Sequence, residues 1–269
     1  MRTRSGPAAA TAGAGRRRGP VEVRLVALPA RTRPEDLALL GAEEADRALG
    51  CGDPLTAARF VGGRAALRRA LGERLGVDPG RLAFERDRCP GCGSASHGPP
   101  RLAAPYRAWC FSLSRSGGTA AVAVAEGIPL GLDIERTRPR NIELMARYSL
   151  SGRERARLDA LPAERRLTAF HQYWSRKEAV TKAGGIGLVG DLRLLETEPG
   201  PEPDPGSGTG AATDPDGRAE VRVRQVVAGR PAVWSVQDLP LPVGLVGALA
   251  TPTGADLRLT VPPARPTHG

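Results

Sequence analysis

Two carboxylates stand two residues apart in Gly131-Leu132-Asp133-Ile134-Glu135, and a later segment, Trp174-Ser-Arg-Lys177-Glu178-Ala-Val-Thr-Lys182, pairs a carboxylate with two lysines. Strand periodicity would send Leu132 and Ile134 to one face and Asp133 and Glu135 to the other. Carboxylates so placed repel each other unless a cation lies between them. Oxygen ligands of this kind suit Mg²⁺, which is usually held by one or two carboxylates together with substrate phosphates and water. In the later segment Leu167, Phe170 and Trp174 form an apolar stripe at helical spacing. Glu178 falls on that stripe and Lys182 at its edge. An i,i+4 Glu–Lys pair adds only about 0.2–0.5 kcal/mol to a helix. That does not offset the several kcal/mol it costs to bury a carboxylate without a partner or a metal. The placement marks Glu178 as a chemical residue.

The lysines are informative for another reason. Of 39 basic residues 37 are arginine, and the only lysines are Lys177 and Lys182. A compact, titratable ammonium is physically distinct from a planar guanidinium that stays protonated, so two lysines this close together point to a site. A third element, Phe111-Ser112-Leu113-Ser114-Arg115-Ser116-Gly117-Gly118, ends a strand in hydroxyls, a cation and glycines, which can present donors to phosphate. Gly185-Ile-Gly-Leu-Val-Gly190 matches a dinucleotide fingerprint literally but follows a helix instead of a strand, which excludes that reading. Together a divalent cation, phosphate donors and lysines beside a carboxylate are the apparatus of phosphoryl-type transfer, where catalysis is mainly positioning and charge neutralisation.

These groups need elements to hold them. Val21–Leu28 alternates as a strand; 35–49 and 56–75 carry helical apolar spacing, the second opening at Asp53-Pro54. Strands are expected at 108–113, 119–125 and 130–135. A helical block follows over 142–184, with Ser151 and Glu154 forming a capping box and a long helix over 163–183 that stops at Gly184-Gly185. Further strands are expected at 219–227, 232–237 and 245–250. Residues 1–20 and 260–269 read as tails, and the Pro/Gly/Asp-rich 197–218 as a disordered insert. The remainder divides into lobes over 21–135 and 136–259, an α+β organisation.

Composition sets the outer bounds. The chain has 269 residues, a net charge of +10 and 41% hydrophobic residues, which is globular composition. No apolar run is long enough for a membrane span, and the N-terminus has no signal-peptide core. The charge calls for an anionic partner. Nucleic acid is the first candidate, but with 4% aromatic residues and no known nucleic-acid-binding pattern, an acidic protein or a phosphorylated small molecule fits as well. A basic nucleic-acid-associated protein without catalysis remains the alternative. Cys51, Cys89, Cys92 and Cys110, without an export signal, suit free thiols in a cytoplasmic setting. Cys89-Pro-Gly-Cys92 with His97 opens a zinc-ligand spacing that lacks its second half, for which Cys110 or Cys51 could supply a fourth ligand; a plain Pro/Gly-rich surface loop is the other reading.

The ordered set FSLSRSGG, GLDIE and WSRKEAVTKAGGIGL resembles the Sfp-type 4′-phosphopantetheinyl transferases. Their signatures are a Ser-His-Ser element, a G-[IVL]-D-x-E strand and a W-x-x-K-E-A-x-x-K helix. The resemblance implies a monomer with a pseudo-twofold pair of α+β lobes. It also implies Mg²⁺ and coenzyme A as cofactor and co-substrate, and transfer of 4′-phosphopantetheine to a serine of an apo carrier protein with release of 3′,5′-ADP. Carried over, Asp133, Glu135 and Glu178 become the Mg²⁺ ligands, with Glu178 also the base for the acceptor hydroxyl. Lys182 would neutralise the leaving phosphate and Lys177 line the same cleft, while Ser114 and Arg115 contact coenzyme A phosphates. Arg115 stands where the family has histidine, and Gly98-Pro99-Pro100 replaces the family's Gly-Lys-Pro. Arg59, Arg64 or Arg101 would then compensate for the missing lysine. The positive charge suits an acidic carrier protein.

Overall fold

In a computed structural model the described residues are 20–186, 190–197, 211–213, 219–227 and 229–252. The expected tails lie outside them, apart from Pro20. Strand β1 (Glu22–Ala27) precedes a short helix α1 (Pro34–Leu37), α2 (Ala42–Leu49) and the long α3 (Pro54–Leu75). The single helix expected over 35–49 is therefore two, broken before Gly41, whose N–H is capped by Glu44 Oε2 at 3.0 Å. Helix α3 starts where Asp53 accepts from Thr56 N at 2.8 Å. Strands β2 (Phe84–Arg86) and β3 (Pro100–Leu102) pair across a long loop, a hairpin the sequence pattern had not suggested.

Strands β4 (Trp109–Ser116) and β5 (Thr119–Glu126) complete a three-stranded antiparallel sheet in the order β1-β5-β4. Alternation along β5 divides its side chains. Val122 and Val124 pack with Leu67 and Leu71 of α3, whereas Ala121, Ala123 and Ala125 face a second core shared with Leu132, Ile134 and Leu249. The alanines leave room for a second sheet to come close.

That sheet runs β6-β10-β9-β8-β7, all antiparallel: β6 (Gly131–Arg136), β10 (Leu245–Pro252), β9 (Arg230–Asp238), β8 (Ala219–Val227) and β7 (Ala211–Thr213). Strand β7 falls inside the segment expected to be a disordered insert; it pairs with β8, and Thr197 at the other end is fully buried. The rest of the insert, 198–210 and 214–218, lies outside the described residues. Between β6 and β7 come α4 (Ile142–Ser149), α5 (Gly152–Asp159) and α6 (Ala163–Ala183). The capping box at Ser151 is present, with reciprocal bonds between Ser151 and Glu154 of 3.1 and 2.8 Å. Helix α6 covers the sheet through Ala179 and Val180 and receives α4 and α5 on Phe170 and Tyr173. Among the described residues no helix is long and apolar enough to cross a membrane.

Candidate active site

The site forms where β4, β6 and α6 meet. Strand β6 reaches α6 because Gly131 has no side chain: a Cβ there would lie 2.0 Å from Ala179 O and 2.4 Å from Ala183 N. This contact places Asp133, two residues on, beside the last turns of the helix. Asp133 is buried, and its Oδ1 accepts from Lys182 Nζ at 2.7 Å and from Ser114 Oγ at 2.8 Å. Lys182 Nζ also donates to Leu132 O at 3.1 Å.

Serines at alternate positions of β4 tie it to β6. Ser112 Oγ accepts from Leu132 N at 3.0 Å, and Ser116 Oγ donates to Glu135 Oε2 at 2.9 Å while accepting from Arg136 N at 2.8 Å. Ser114, expected to contact phosphate, is instead buried and spends its proton on Asp133. It is a positioning residue. Ser116 does the same for Glu135, a role the Ser-x-Ser-x-Ser alternation signalled but which was not assigned to it.

Among the described residues, two oxygens in this cluster lack partners. Asp133 Oδ2 and Glu178 Oε1 are both buried without a hydrogen bond. Burial, which outweighs the attraction of Lys182, together with repulsion from Asp133 and Glu135, pushes the Glu178 carboxyl up to about 7. Orphaned carboxylate oxygens are costly in a native structure and call for a proton or a cation. An all-oxygen donor set with two unused buried atoms fits a hard divalent cation. The fit is incomplete in one respect: Asp133, Glu135 and Glu178 do not gather their oxygens within 4.8 Å of one another, as Cys89, Cys92 and His97 do with their ligand atoms. Lys182 and Ser114 hold Asp133, and Ser116 holds Glu135.

Lys177 takes no part in this cluster. It is fully buried, its Nζ ion-paired with Glu154 Oε2 at 2.7 Å and donating to Leu192 O at 2.9 Å and to Leu195 O. All three ammonium protons are therefore committed. The expectation that Lys177 lines a phosphate cleft is corrected: five residues along a helix turn it well away from Lys182. Burial lowers the Lys177 pKa against the pull of Glu154.

The arginines divide similarly. Arg115, on the face of β4 opposite Ser114, lays its guanidinium over Phe60 at 5.2 Å, and Arg47 approaches the same ring at 5.4 Å. Gly63 makes the room, since a Cβ there would stand 2.5 Å from Arg115 Cδ. Burial and the neighbouring Arg47 and Arg64 lower the Arg115 pKa. Arg64 lies over Phe84 at 4.8 Å and shares Glu44 with Arg68, leaving one carboxylate for two guanidinium groups. Arg86 adds to the field on Arg64 and donates to Gly98 O at 3.2 Å. Arg101 is ion-paired with Glu85 and Asp87, both at 2.9 Å. Arg59 lies by Asp53 at the start of α3. Arg47 and Arg86, which sequence reasoning passed over, complete the basic cluster.

Residues 129–226, which include β6, α6 and all four charged groups of the carboxylate cluster, match the sequence family described as the 4′-phosphopantetheinyl transferase superfamily. Over that segment the chain is similar to members of the superfamily. It is 35% identical over 148 residues to the 4′-phosphopantetheinyl transferase HetI of Nostoc sp., an alignment covering 52% of this chain and 59% of that protein. A Bacillus subtilis 4′-phosphopantetheinyl transferase is 30% identical over 130 residues, 48% of this chain and 53% of the relative. AcpT of Salmonella typhi, another 4′-phosphopantetheinyl transferase, is 40% identical over 89 residues, covering 33% and 46%. The chain thus spans about half the length of these curated relatives. Within the superfamily match, Gly131 and the carboxylates lie on β6, and Glu178 and Lys182 on α6.

Proposed function

We propose that this protein transfers the 4′-phosphopantetheine group of coenzyme A to a serine of an apo carrier protein, in a Mg²⁺-dependent reaction that releases 3′,5′-ADP. The observation that carries the reading is the pair of buried, unpartnered oxygens, Asp133 Oδ2 and Glu178 Oε1, in the segment shared with the superfamily. Asp133, Glu135 and Glu178 would hold the Mg²⁺, which when bound supplies charge neutralisation to the pyrophosphate. The acceptor serine oxygen forms a bond to the phosphorus that carries the pantetheine. The bridging P–O bond breaks, and its electron pair leaves with 3′,5′-ADP. Glu178 accepts the proton of the attacking hydroxyl. Lys182, held by Asp133, supplies positive charge to the leaving phosphate. Arg115, Arg47 and Arg64 provide guanidinium groups for the other coenzyme A phosphates.

The two sheets support a pseudo-twofold reading of the fold. In each, the first strand pairs with the last and the last with the one before it, and a long helix covers them. We take the chain to act as a monomer on an acidic carrier protein, in keeping with a net charge of +10. Incubation with coenzyme A, Mg²⁺ and a panel of apo carrier proteins tests the proposal. Holo product by intact mass, with 3′,5′-ADP by chromatography, is expected. No product with any carrier, and no Mg²⁺-dependent coenzyme A binding by calorimetry, would overturn it.

A further inference from the structure

The loop joining β2 to β3 has no part in the chemistry proposed above, yet it carries the tightest group of metal-type side chains among the described residues. Cys89, Cys92 and His97 place one ligand atom each within 4.8 Å of the others. Cys92 Sγ and His97 Nε2 are 3.2 Å apart. For tetrahedral zinc, bond lengths of about 2.3 Å to sulfur and 2.0–2.1 Å to nitrogen require ligand separations of roughly 3.6–3.8 Å. The trio therefore stands close to a coordinating arrangement and needs only small adjustments to reach it.

The surroundings favour ligation over an ordinary loop. Backbone N–H groups of Gly91 and Cys92 donate to the Cys89 sulfur, the kind of donor a metal-bound thiolate accepts. The turn that makes this possible is closed by Gly93, which donates its N–H to Cys89 O at 2.7 Å and has φ +76°. On the histidine, Nδ1 lies 3.4 Å from Ser96 Oγ, which is itself 2.9 Å from Ser94 Oγ. A hydroxyl that accepts from Nδ1–H fixes the tautomer whose lone pair is on Nε2, the atom turned to Cys92. Cys89 is buried while Cys92 and His97 are exposed, so one side of the trio is open to water. The other cysteines stand apart: Cys110 packs into the core between the sheets, and Cys51 bonds Arg47 O at 3.4 Å.

We propose that Cys89, Cys92 and His97 bind a zinc-class divalent cation with water in the fourth position, and that this ion fixes the 87–99 loop against the end of α6. The loop already touches that end. A Cβ on Gly185 would lie 3.1 Å from Pro99 and 3.4 Å from Pro90, and one on Gly91 would lie 3.7 Å from Ile186. Arg86 is bonded to Gly98 at the base of the same loop. A cation here ties the arginine-bearing hairpin to the helix that carries Glu178 and Lys182. The soft sulfur donors separate it from the all-oxygen carboxylate cluster.

The test uses the full chain purified under reducing conditions. One zinc per chain by elemental analysis is expected. Replacing it with Co²⁺ should give sulfur-to-cobalt charge-transfer absorption, kept in Asp133→Asn and lost in the double variant Cys89→Ser/Cys92→Ser. His97→Ala should weaken zinc binding at least tenfold while keeping that absorption. Metal removal should speed tryptic cleavage at Arg86 and Arg88 at least tenfold. Failure of the wild-type chain to bind either ion, a charge-transfer band that survives the double variant, a Cys89–Cys92 disulfide in the reduced chain, or unchanged cleavage would overturn the proposal. None of these readouts depends on transferase activity, so their failure is distinct from failure of the functional reading.

Discussion

Replacing Glu178 with glutamine should stabilise the protein in alkaline, magnesium-free solution while abolishing turnover. The carboxyl is raised from an ordinary 4.5 to about 7, chiefly by burial and also by Asp133 and Glu135. Below 4.5 it is protonated in both the folded and the unfolded chain, and folding carries no electrostatic penalty. As pH rises from 4.5 towards 7 the unfolded chain releases its proton first, so the folded state binds more protons and stability falls. Above 7 the penalty is complete. Moving a carboxyl from 4.5 to about 7 corresponds to roughly 3 kcal/mol at most. The side chain is not fully enclosed, and solvent screening reduces this to about 1–2 kcal/mol. At about 2–4 °C per kcal/mol for a domain of this size, the melting-temperature difference, Glu178→Gln minus wild type, should be about 2–8 °C larger at pH 8 than at pH 5. Differential scanning calorimetry of both proteins at the two pH values measures it, with Mg²⁺ then added at pH 8. The ion should raise the melting temperature of the wild type and leave the variant almost unmoved. A difference that does not depend on pH would refute the assignment of Glu178 as an ionised, unpartnered carboxylate.

Lys177→Met should leave Glu154 charged and buried without its partner, a loss of about 3–5 kcal/mol, seen as a drop of several degrees or more in melting temperature. Arg115, which pairs with no carboxylate among the described residues, should on replacement by alanine weaken coenzyme A binding at least tenfold by calorimetry, with a melting temperature within about 2–4 °C of wild type, the shift for ~1 kcal/mol. Lys182→Arg keeps the charge but sets a wider planar group between Asp133 and Leu132 O. Turnover of an apo carrier protein should fall at least tenfold with near-normal melting, because a misplacement of about 1 Å can cost on the order of 10²-fold; unchanged turnover would make Lys182 merely structural.

What could be read from the sequence was local. Helix α6 runs from Ala163 to Ala183 as its apolar stripe and Gly184-Gly185 indicate, and α3 opens at Asp53-Pro54 as its cap requires. The two carboxylates of β6 and the misplaced charge of Glu178 point to the cluster from the sequence alone. Partner choice across long separations was not legible. Glu154 was visible as half of a capping box, but its Oε2 also meets the Lys177 ammonium and its Oε1 accepts from Thr197, contacts that span 23 and 43 residues. Ser114 has the same hydroxyl whether it faces a phosphate or Asp133; only the approach of β4 to β6 decides. The strands β2, β3 and β7, three residues each, are too short for alternation to show.

Helix α6 explains how the chain tolerates two orphaned carboxylate oxygens. An unsatisfied buried acceptor costs about 1–3 kcal/mol, and a free helix would rotate or slide to relieve it. Here both motions are blocked from the opposite side. Arg176 forks onto Asp238 with bonds of 2.9 and 2.7 Å and donates to Thr197 O at 3.0 Å, while Lys177 is locked into Glu154 and two carbonyls. Gly131 sets β6 directly on the helix backbone, so the sheet cannot yield either. The adjacent residues Arg176 and Lys177 thus hold α6 in the rotation that points Glu178 into the cluster. Lys177, the lysine that does not reach the site, acts on it by keeping its neighbour's carboxylate where a cation is needed.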